Sequence, residues 1–442
     1  MAGEVKGGRH GLDSRGLRGQ NAVLIEGSGG VNAMWEALLD QMLKRLIRTG
    51  RLEMTFPGGR SRSYGPGDSD PVRVRLTNGD VPRRLALNPE LALGEAYMDG
   101  TLEIENDDLH AFLGLLLENR SQGANHWALD LHHRLRKAMR WSQQYNPLHR
   151  ARRNVAHHYD LSGELYDLFL DSDKQYSCAY FARPDMTLEE AQAAKRHHIA
   201  RKLLIEPGMR VLDIGCGWGG MALTLARDYG AQVVGVTLSE EQHRDATRRA
   251  GEAGLSDRVE FRLQDYREVP ETFDRIVSVG MFEHVGVPHY RSFFDTVREK
   301  LREDGIALIH TIGRGDPPGT TSPWILKYIF PGGYIPAMSE VLAPIERVGL
   351  WVDDVEVLRL HYAETLRAWH DRFMANRERI RAIYDERFCR MWRFYLVASE
   401  MTFRETRQVV FQFQLSRRQE AVPLTRDYLY CKDAAAEVRA AE

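Results

Sequence analysis

Residues 211–220 read VLDIGCGWGG: a short apolar run enters the pattern Gly215-x-Gly217-x-x-Gly220, and residues 221–228, MALTLARD, continue with helical spacing. Strand, glycine turn, helix is the phosphate- and nucleotide-binding turn of α/β sheets. Three glycines with an acid at the strand end exceed what a tight turn alone requires, although a purely structural turn is the alternative. Two details select among nucleotides. Asp213 stands two residues before the first glycine, where a carboxylate meets an ammonium and repels a pyrophosphate. The next apolar run, VVGVTLSEEQ (233–242), ends in Thr237 rather than the acid expected about 20 residues on in an NAD site. The pair favours S-adenosylmethionine over NAD.

Outward from this turn, strands and helices alternate. Expected strands are Arg210–Ile214, Gln232–Thr237, Val259–Leu263, Phe273–Val279 and Ile306–His310, with Val352–Leu360 and Val409–Leu415 later; Glu240–Ala253 reads as one of the helices between them. The alternation predicts a parallel sheet covered on both faces. In LQDYRE, Asp265 and Tyr266 follow the third strand, where an acid can accept from an adenine amino group and a ring can cover its face. Read alone, the pair is equally a turn acid and a core aromatic.

The chain has 442 residues, 43% of them apolar, and a formal net charge of −2, so it is long enough for more than one domain and its overall charge predicts no nucleic-acid binding. Four cysteines without a C-x-x-C pair argue against a zinc site or disulfide framework and suit a reducing cytoplasm. Residues 1–30 are glycine-rich, lack the apolar core of a signal peptide, and are expected to form a flexible tail. The longest apolar run, AFLGLLL (111–117), is far short of the ~20 residues that span a bilayer, so any membrane contact is expected to be peripheral.

Residues 31–130 read as a small α+β domain. Val31, Trp35, Leu38, Leu39, Met42, Leu46 and Ile47 recur at helical spacing, β-like segments follow at Leu52–Phe56 and Val72–Leu76, and a helix is expected over 108–118. Residues 131–155 form a basic linker: Leu131 to Tyr159 holds no acid but Arg134, Arg136, Lys137, Arg140, Arg150, Arg152 and Arg153. Such a run is a solvated helix or a surface for anionic lipid headgroups. Residues 156–442 are expected to be the catalytic domain.

Within it, VGMFEHVG places Glu283 and His284 after the fourth strand, and LIHTIG brings His310 to the same carboxyl edge, where open α/β sheets bind ligands. The segment 313–337 has ten Gly or Pro in 25 residues yet carries Trp324, Tyr328, Phe330 and Tyr334, which predicts a lid over an apolar substrate. In QYSCAYF (175–181), Cys178 is read as nucleophile, ligand or packed core residue.

With these motifs together the chain resembles a known family. YSCAYF, VLDIGCGWGG, VVGVTLSEEQ, QDYRE, FDRIVSVGMFEHVG, LIHTIG, KYIFPGGYIP and HYAETLRAW occur in the order found in the cyclopropane fatty acid synthases, from about His157 to Leu415. LALGEAYMDGTLEIE (91–105) resembles the N-terminal domain of the long bacterial forms that modify intact phospholipids. The resemblance implies a Rossmann-like S-adenosylmethionine-dependent methyltransferase fold, a seven-stranded, mostly parallel α/β sheet, with a smaller N-terminal α+β domain that engages lipid. It implies that a methylene group is added across a cis double bond of a phospholipid acyl chain, through a carbocation that bound bicarbonate deprotonates. Bicarbonate would be held by the counterparts of Cys178, Glu283, His310 and Tyr362 with a backbone contact from Ile312. The cofactor would meet Tyr176, Ser177, Asp213, Gly215, Gly217, Gly219, Thr237, Leu238, Gln242, Asp265 and Tyr266. The resemblance makes Cys178 part of the pocket wall rather than a nucleophile, since no covalent step is required. Residues of the same types serve relatives that make methyl- or methylene-branched chains, so branching methylation is the rival outcome. Methyl transfer to a small amine is a further enzymatic rival, and a binding protein without turnover is the rival from a different class. The expected setting is cytoplasmic, on the inner face of the cell membrane, as a homodimer in contact with unsaturated phospholipids.

Overall fold

The computed structural model describes residues 23–67, 70–123 and 163–430; the basic stretch 131–155 and residues 1–22 lie outside the described residues. The N-terminal unit comprises α1 (Val23–Leu46), β1 (Leu52–Thr55), β2 (Ser61–Tyr64), β3 (Val72–Leu76), α2 (Val81–Leu87), α3 (Pro89–Met98), β4 (Leu102–Ile104) and α4 (Leu109–Ser121). Its four strands lie in the order β2-β1-β3-β4, with β1 and β3 parallel and the outer pairs antiparallel. Helix α1 starts at Val23, inside the segment expected as tail. Its apolar stripe turns inward: Leu39, Met42, Leu43 and Ile47 are buried in the core of this unit. Val31, at the other end of the stripe, is exposed, as is Met34 near it. Asn119 on α4 fixes the exit from α1, its Oδ1 accepting from the backbone N–H groups of Arg48 and Thr49 at 2.7 and 2.9 Å.

The larger unit runs α5 (Gly163–Phe169), α6 (Leu188–Lys202), β5 (Arg210–Ile214), α7 (Gly220–Tyr229), β6 (Gln232–Thr237), α8 (Glu240–Glu252), β7 (Val259–Leu263), β8 (Phe273–Val279), α9 (Tyr290–Lys300) and β9 (Leu301–Arg314). It continues with α10 (Pro323–Tyr328), α11 (Met338–Val348), β10 (Trp351–Val357), α12 (His361–Ala375), α13 (Arg377–Ile383), α14 (Glu386–Glu405) and β11 (Gln408–Ser416). The sheet order is β10-β11-β9-β8-β5-β6-β7. Strands β5 to β9 are parallel, and β11 is antiparallel to both of its neighbours. The expected seven-stranded, mostly parallel α/β sheet is therefore observed. Strand β5 pairs with β6 on one side and β8 on the other, so connections leave in opposite directions there and open a crevice at the carboxyl ends.

The two units share one apolar core. A continuous buried cluster runs from Leu39 and Phe112 through Trp324 to Trp369, Trp392 and Phe403. Polar contacts reinforce it: Glu400 on α14 is fully buried and meets His110 of α4 at 3.0 Å, and the Arg387 guanidinium donates to Asp99 at 2.9 Å.

Candidate active site

The glycine turn packs against a loop that precedes α6. Asp171 holds that loop, its carboxylate accepting from the backbone N–H groups of Asp173 and Gln175 at 3.1 and 2.9 Å. Gly220 is needed for the approach: a Cβ there would sit 2.1 Å from Asp173 Oδ2 and 2.3 Å from Gln175 Nε2. Between the turn and the loop lies a crevice lined by Tyr176, Ser177, Asp213, Gly215, Gly217, Thr237, Leu238, Gln242, Asp265, Tyr266, His284 and neighbouring residues. Ten of the eleven expected cofactor contacts thus line one cavity. Gly219 does not: it caps α7 at φ +84°, and a Cβ would press on the Phe261 ring at 2.5 Å.

Electrostatics give the crevice a direction. Asp213 is buried, and its Oδ2 has no hydrogen-bond partner among the described residues. Burial pushes its pKa up to about 7, against the pull of the Lys195 cation. A buried acid with an unpartnered oxygen fits a cationic ammonium group. On the far side, the Thr237 hydroxyl donates to Gln242 Oε1 at 3.0 Å, so the two residues act as one polar wall. Asp265 is less free than its motif suggests, because the Arg267 guanidinium clamps both carboxylate oxygens at 2.8 and 2.7 Å. A carboxylate oxygen keeps further acceptor capacity, so an adenine amino group remains compatible with it.

Beside this crevice the catalytic candidates are buried among apolar side chains, and we call this region the chamber. Glu283 is buried, its Oε1 accepting from the Ile312 N–H at 2.6 Å, while Oε2 has no hydrogen-bond partner among the described residues. Burial raises its pKa to about 7, opposed by the Ile312 N–H, by its own backbone N–H and by the Thr311 hydroxyl. The Ile312 N–H is thus engaged by Glu283. His310 lies two residues earlier on β9, hence on the same face. Its pKa is lowered to about 3, chiefly by burial, and the Gln412 amide donates to Nδ1 at 3.1 Å, which leaves the proton on Nε2. Cys178, Tyr362 and Ile312 pack into one cluster with Tyr176, Tyr328 and Phe330. The Cys178 thiol is buried, donates to the Ala179 carbonyl at 3.3 Å and is pushed above its usual pKa by burial, which favours the neutral thiol. Tyr176 stacks on Trp369 at 5.1 Å and Tyr362 meets the same ring edge-on at 5.8 Å.

Residues 146–413 match the model of the mycolic acid cyclopropane synthetase family. The chain is 41% identical over 349 residues to the cyclopropane-fatty-acyl-phospholipid synthase of Escherichia coli strain K12, covering 79% of this chain and 89% of that protein. The chain belongs to this family. It is a methyltransferase that uses S-adenosylmethionine. A second relative, the tuberculostearic acid methyltransferase UfaA1 of Mycobacterium tuberculosis, is 35% identical over 406 residues, 88% of this chain and 93% of its own. The solved structure of the mycolic acid cyclopropane synthase CmaA1, complexed with SAH and CTAB, superposes with a TM-score of 0.58 at 35% identity, covering 62% of this chain and 99% of its own. Residues 38–123 match a domain of unknown function, DUF7884.

Several side chains in this family member's site carry no motif. Lys195 on α6 is fully buried, donates to Gln175 Oε1 at 2.6 Å and Ser177 Oγ at 2.7 Å, and burial lowers its pKa to about 7. Gln192, one turn earlier, donates to the Gln175 and Ser177 carbonyls. The signal was periodicity: Gln192, Lys195, Ile199 and Lys202 share one helical face, and that face is the buried one. Tyr395, whose hydroxyl lies 3.0 Å from that of Tyr176, comes from α14, far away in sequence.

Proposed function

We propose that the chain adds a methylene group from S-adenosylmethionine across the cis double bond of an unsaturated phospholipid acyl chain, closing a cyclopropane ring. One observation carries this reading: Glu283, a carboxyl group buried between the cofactor crevice and an aromatic chamber, has one oxygen fixed by Ile312 and the other unpartnered. When bound, the cofactor supplies an electrophilic methyl, leaving positive charge on the acyl chain until the added carbon loses a proton.

The chain's residues serve that chemistry in three ways. Asp213 would take the ammonium group, and the glycine turn would bring the cofactor against the chamber. The chamber excludes water, which a carbocation would otherwise capture. The rings of Tyr176 and Tyr362 would each offer a cation about 1 kcal/mol. Glu283 would help to receive that proton. A bicarbonate ion would supply a base there, held by Cys178, Glu283, His310 and Tyr362. The neutral thiol and the neutral imidazole N–H suit a single anion, and a carboxyl group that is half protonated near pH 7 limits repulsion.

A second reading, methylation to a branched chain, draws support from the likeness to UfaA1 across most of both chains. The setting we infer is a homodimer on the inner, cytoplasmic face of the membrane. No helix among the described residues is long and apolar enough to cross a bilayer, which is compatible with peripheral contact. The substrate class is tested by giving the protein methyl-labelled S-adenosylmethionine with vesicles of cis-unsaturated or fully saturated phospholipid. Label entering only the unsaturated lipid supports the reading; label in neither, or in both alike, overturns it.

A further inference from the structure

The N-terminal unit reaches the chemistry through the Gly/Pro-rich segment that follows β9. Trp324, at the start of α10, is buried against α3: its indole N–H donates to Met98 Sδ at 3.2 Å, and a Cβ on Gly94 would fall 2.4 Å from the same ring. Glu95, beside Gly94, accepts from Lys327 Nζ at 2.7 Å and from the Tyr328 hydroxyl at 2.9 Å, and it pairs with Arg84 Nη2 at 2.8 Å. All of α10 is therefore seated on the N-terminal unit. From its far end the chain runs straight into the chamber. The Phe330 ring packs 6.1 Å from that of His284 and 6.0 Å from that of Tyr395, and the Tyr334 N–H donates to the Glu283 carbonyl at 3.0 Å.

We propose that Glu95 is a positioning residue for the reaction: the seat formed by Gly94, Glu95 and Met98 holds α10 so that Phe330 and Tyr334 close on His284 and Glu283. The N-terminal unit then shapes the active site as well as meeting lipid. The segment 313–337 is rich in Gly and Pro and holds only a six-residue helix, so it has little regular structure of its own to keep it in place. Three polar contacts and one buried ring tie α10 to the N-terminal unit. Glu95 touches neither cofactor nor acyl chain, and its effect passes through Tyr328 and Phe330. The catalytic part of this inference rests on the proposed lipid reaction, whereas the structural part does not.

The test uses the full-length protein with Glu95→Ala, Glu95→Gln and Gly94→Ala, the last pressing a methyl on Trp324. Amide hydrogen exchange is read at Phe330 and Tyr334, cofactor affinity by calorimetry, and kcat and KM on unsaturated vesicles. Glu95→Ala and Gly94→Ala are expected to speed exchange at both amides by roughly tenfold. They should lower kcat by roughly ten- to a hundredfold with cofactor affinity within about twofold. Glu95→Gln, which keeps an acceptor for Lys327 and Tyr328, recovers part of both losses. Unchanged exchange overturns the proposal, and so does faster exchange with unchanged kcat. If the wild-type protein transfers no label to lipid, the substrate reading falls, and exchange at Tyr334 alone supports or overturns the seat.

Discussion

Asp213 and Glu283 are buried acids of similar pKa with different work, and each makes a prediction. Binding of a cation favours ionised Asp213, so cofactor affinity should rise with pH up to about 7 and level off above it. Lys195 titrates in the same window, so Asp213→Asn is the variant that assigns the slope. It should flatten the pH dependence and weaken binding by roughly tenfold or more, read by calorimetry. Glu283→Gln should lower transfer by about 10²- to 10⁴-fold with cofactor affinity retained. The sign of its effect on stability follows from its raised pKa. The cost of ionising Glu283 is absent below its ordinary value of 4.5, grows as pH rises, and is complete above about 7. The variant should therefore gain on the wild type by up to ~3 kcal/mol between pH 4.5 and pH 8 in denaturant melts. These two acids were legible because Asp213 stands at a strand end beside the glycine turn and Glu283 follows a strand within a motif. Lys195 was hidden, since a lysine on a helix reads as solvated until the neighbouring loop is seen to cover it.

At the scale of elements, the central strands were legible to the residue. Strands β5, β6, β7 and β8 occupy the stretches their apolar runs predicted, because strands covered on both faces are continuous in composition. Strand β9 was expected at Ile306–His310 but extends over Leu301–Arg314. Its first half, LREDG, reads as a turn, and its second half gains regularity from pairing with β11 along Ile306 to Arg314, a partner about a hundred residues away. The short strands β2 and β4 escaped notice for the same reason: Ser61–Tyr64 and Leu102–Ile104 carry little pattern of their own and are strands because of their neighbours. The glycine turn gives a prediction at this scale. Gly220→Ala forces the loop 171–177 away from α7, since Asp173 and Gln175 stand where the methyl must go. Cofactor affinity should fall by roughly tenfold or more while far-ultraviolet circular dichroism is preserved; an unchanged affinity would remove the loop from the site.

For the whole molecule, the apolar stripe of α1 is core from Leu39 onward, the usual fate of such a stripe. What α1 and its exit still offer a bilayer is charge: Lys44, Arg45 and Arg48 are exposed, although Lys44 pairs with Asp40 at 2.9 Å. Replacing all three by Glu should weaken co-sedimentation with anionic vesicles, by ~1 kcal/mol per cation at most. Unchanged binding would move membrane contact elsewhere on the surface. The N-terminal and catalytic units share a core, so they form one body. The central claim is that this body closes a ring rather than adding a branch. The most direct measurement is on the labelled acyl chains released after turnover on cis-unsaturated vesicles without added reductant. The account predicts chains longer by one carbon that retain no alkene and take up no hydrogen under mild catalytic hydrogenation. Labelled chains that still hydrogenate would contradict ring closure and establish the branching reaction instead.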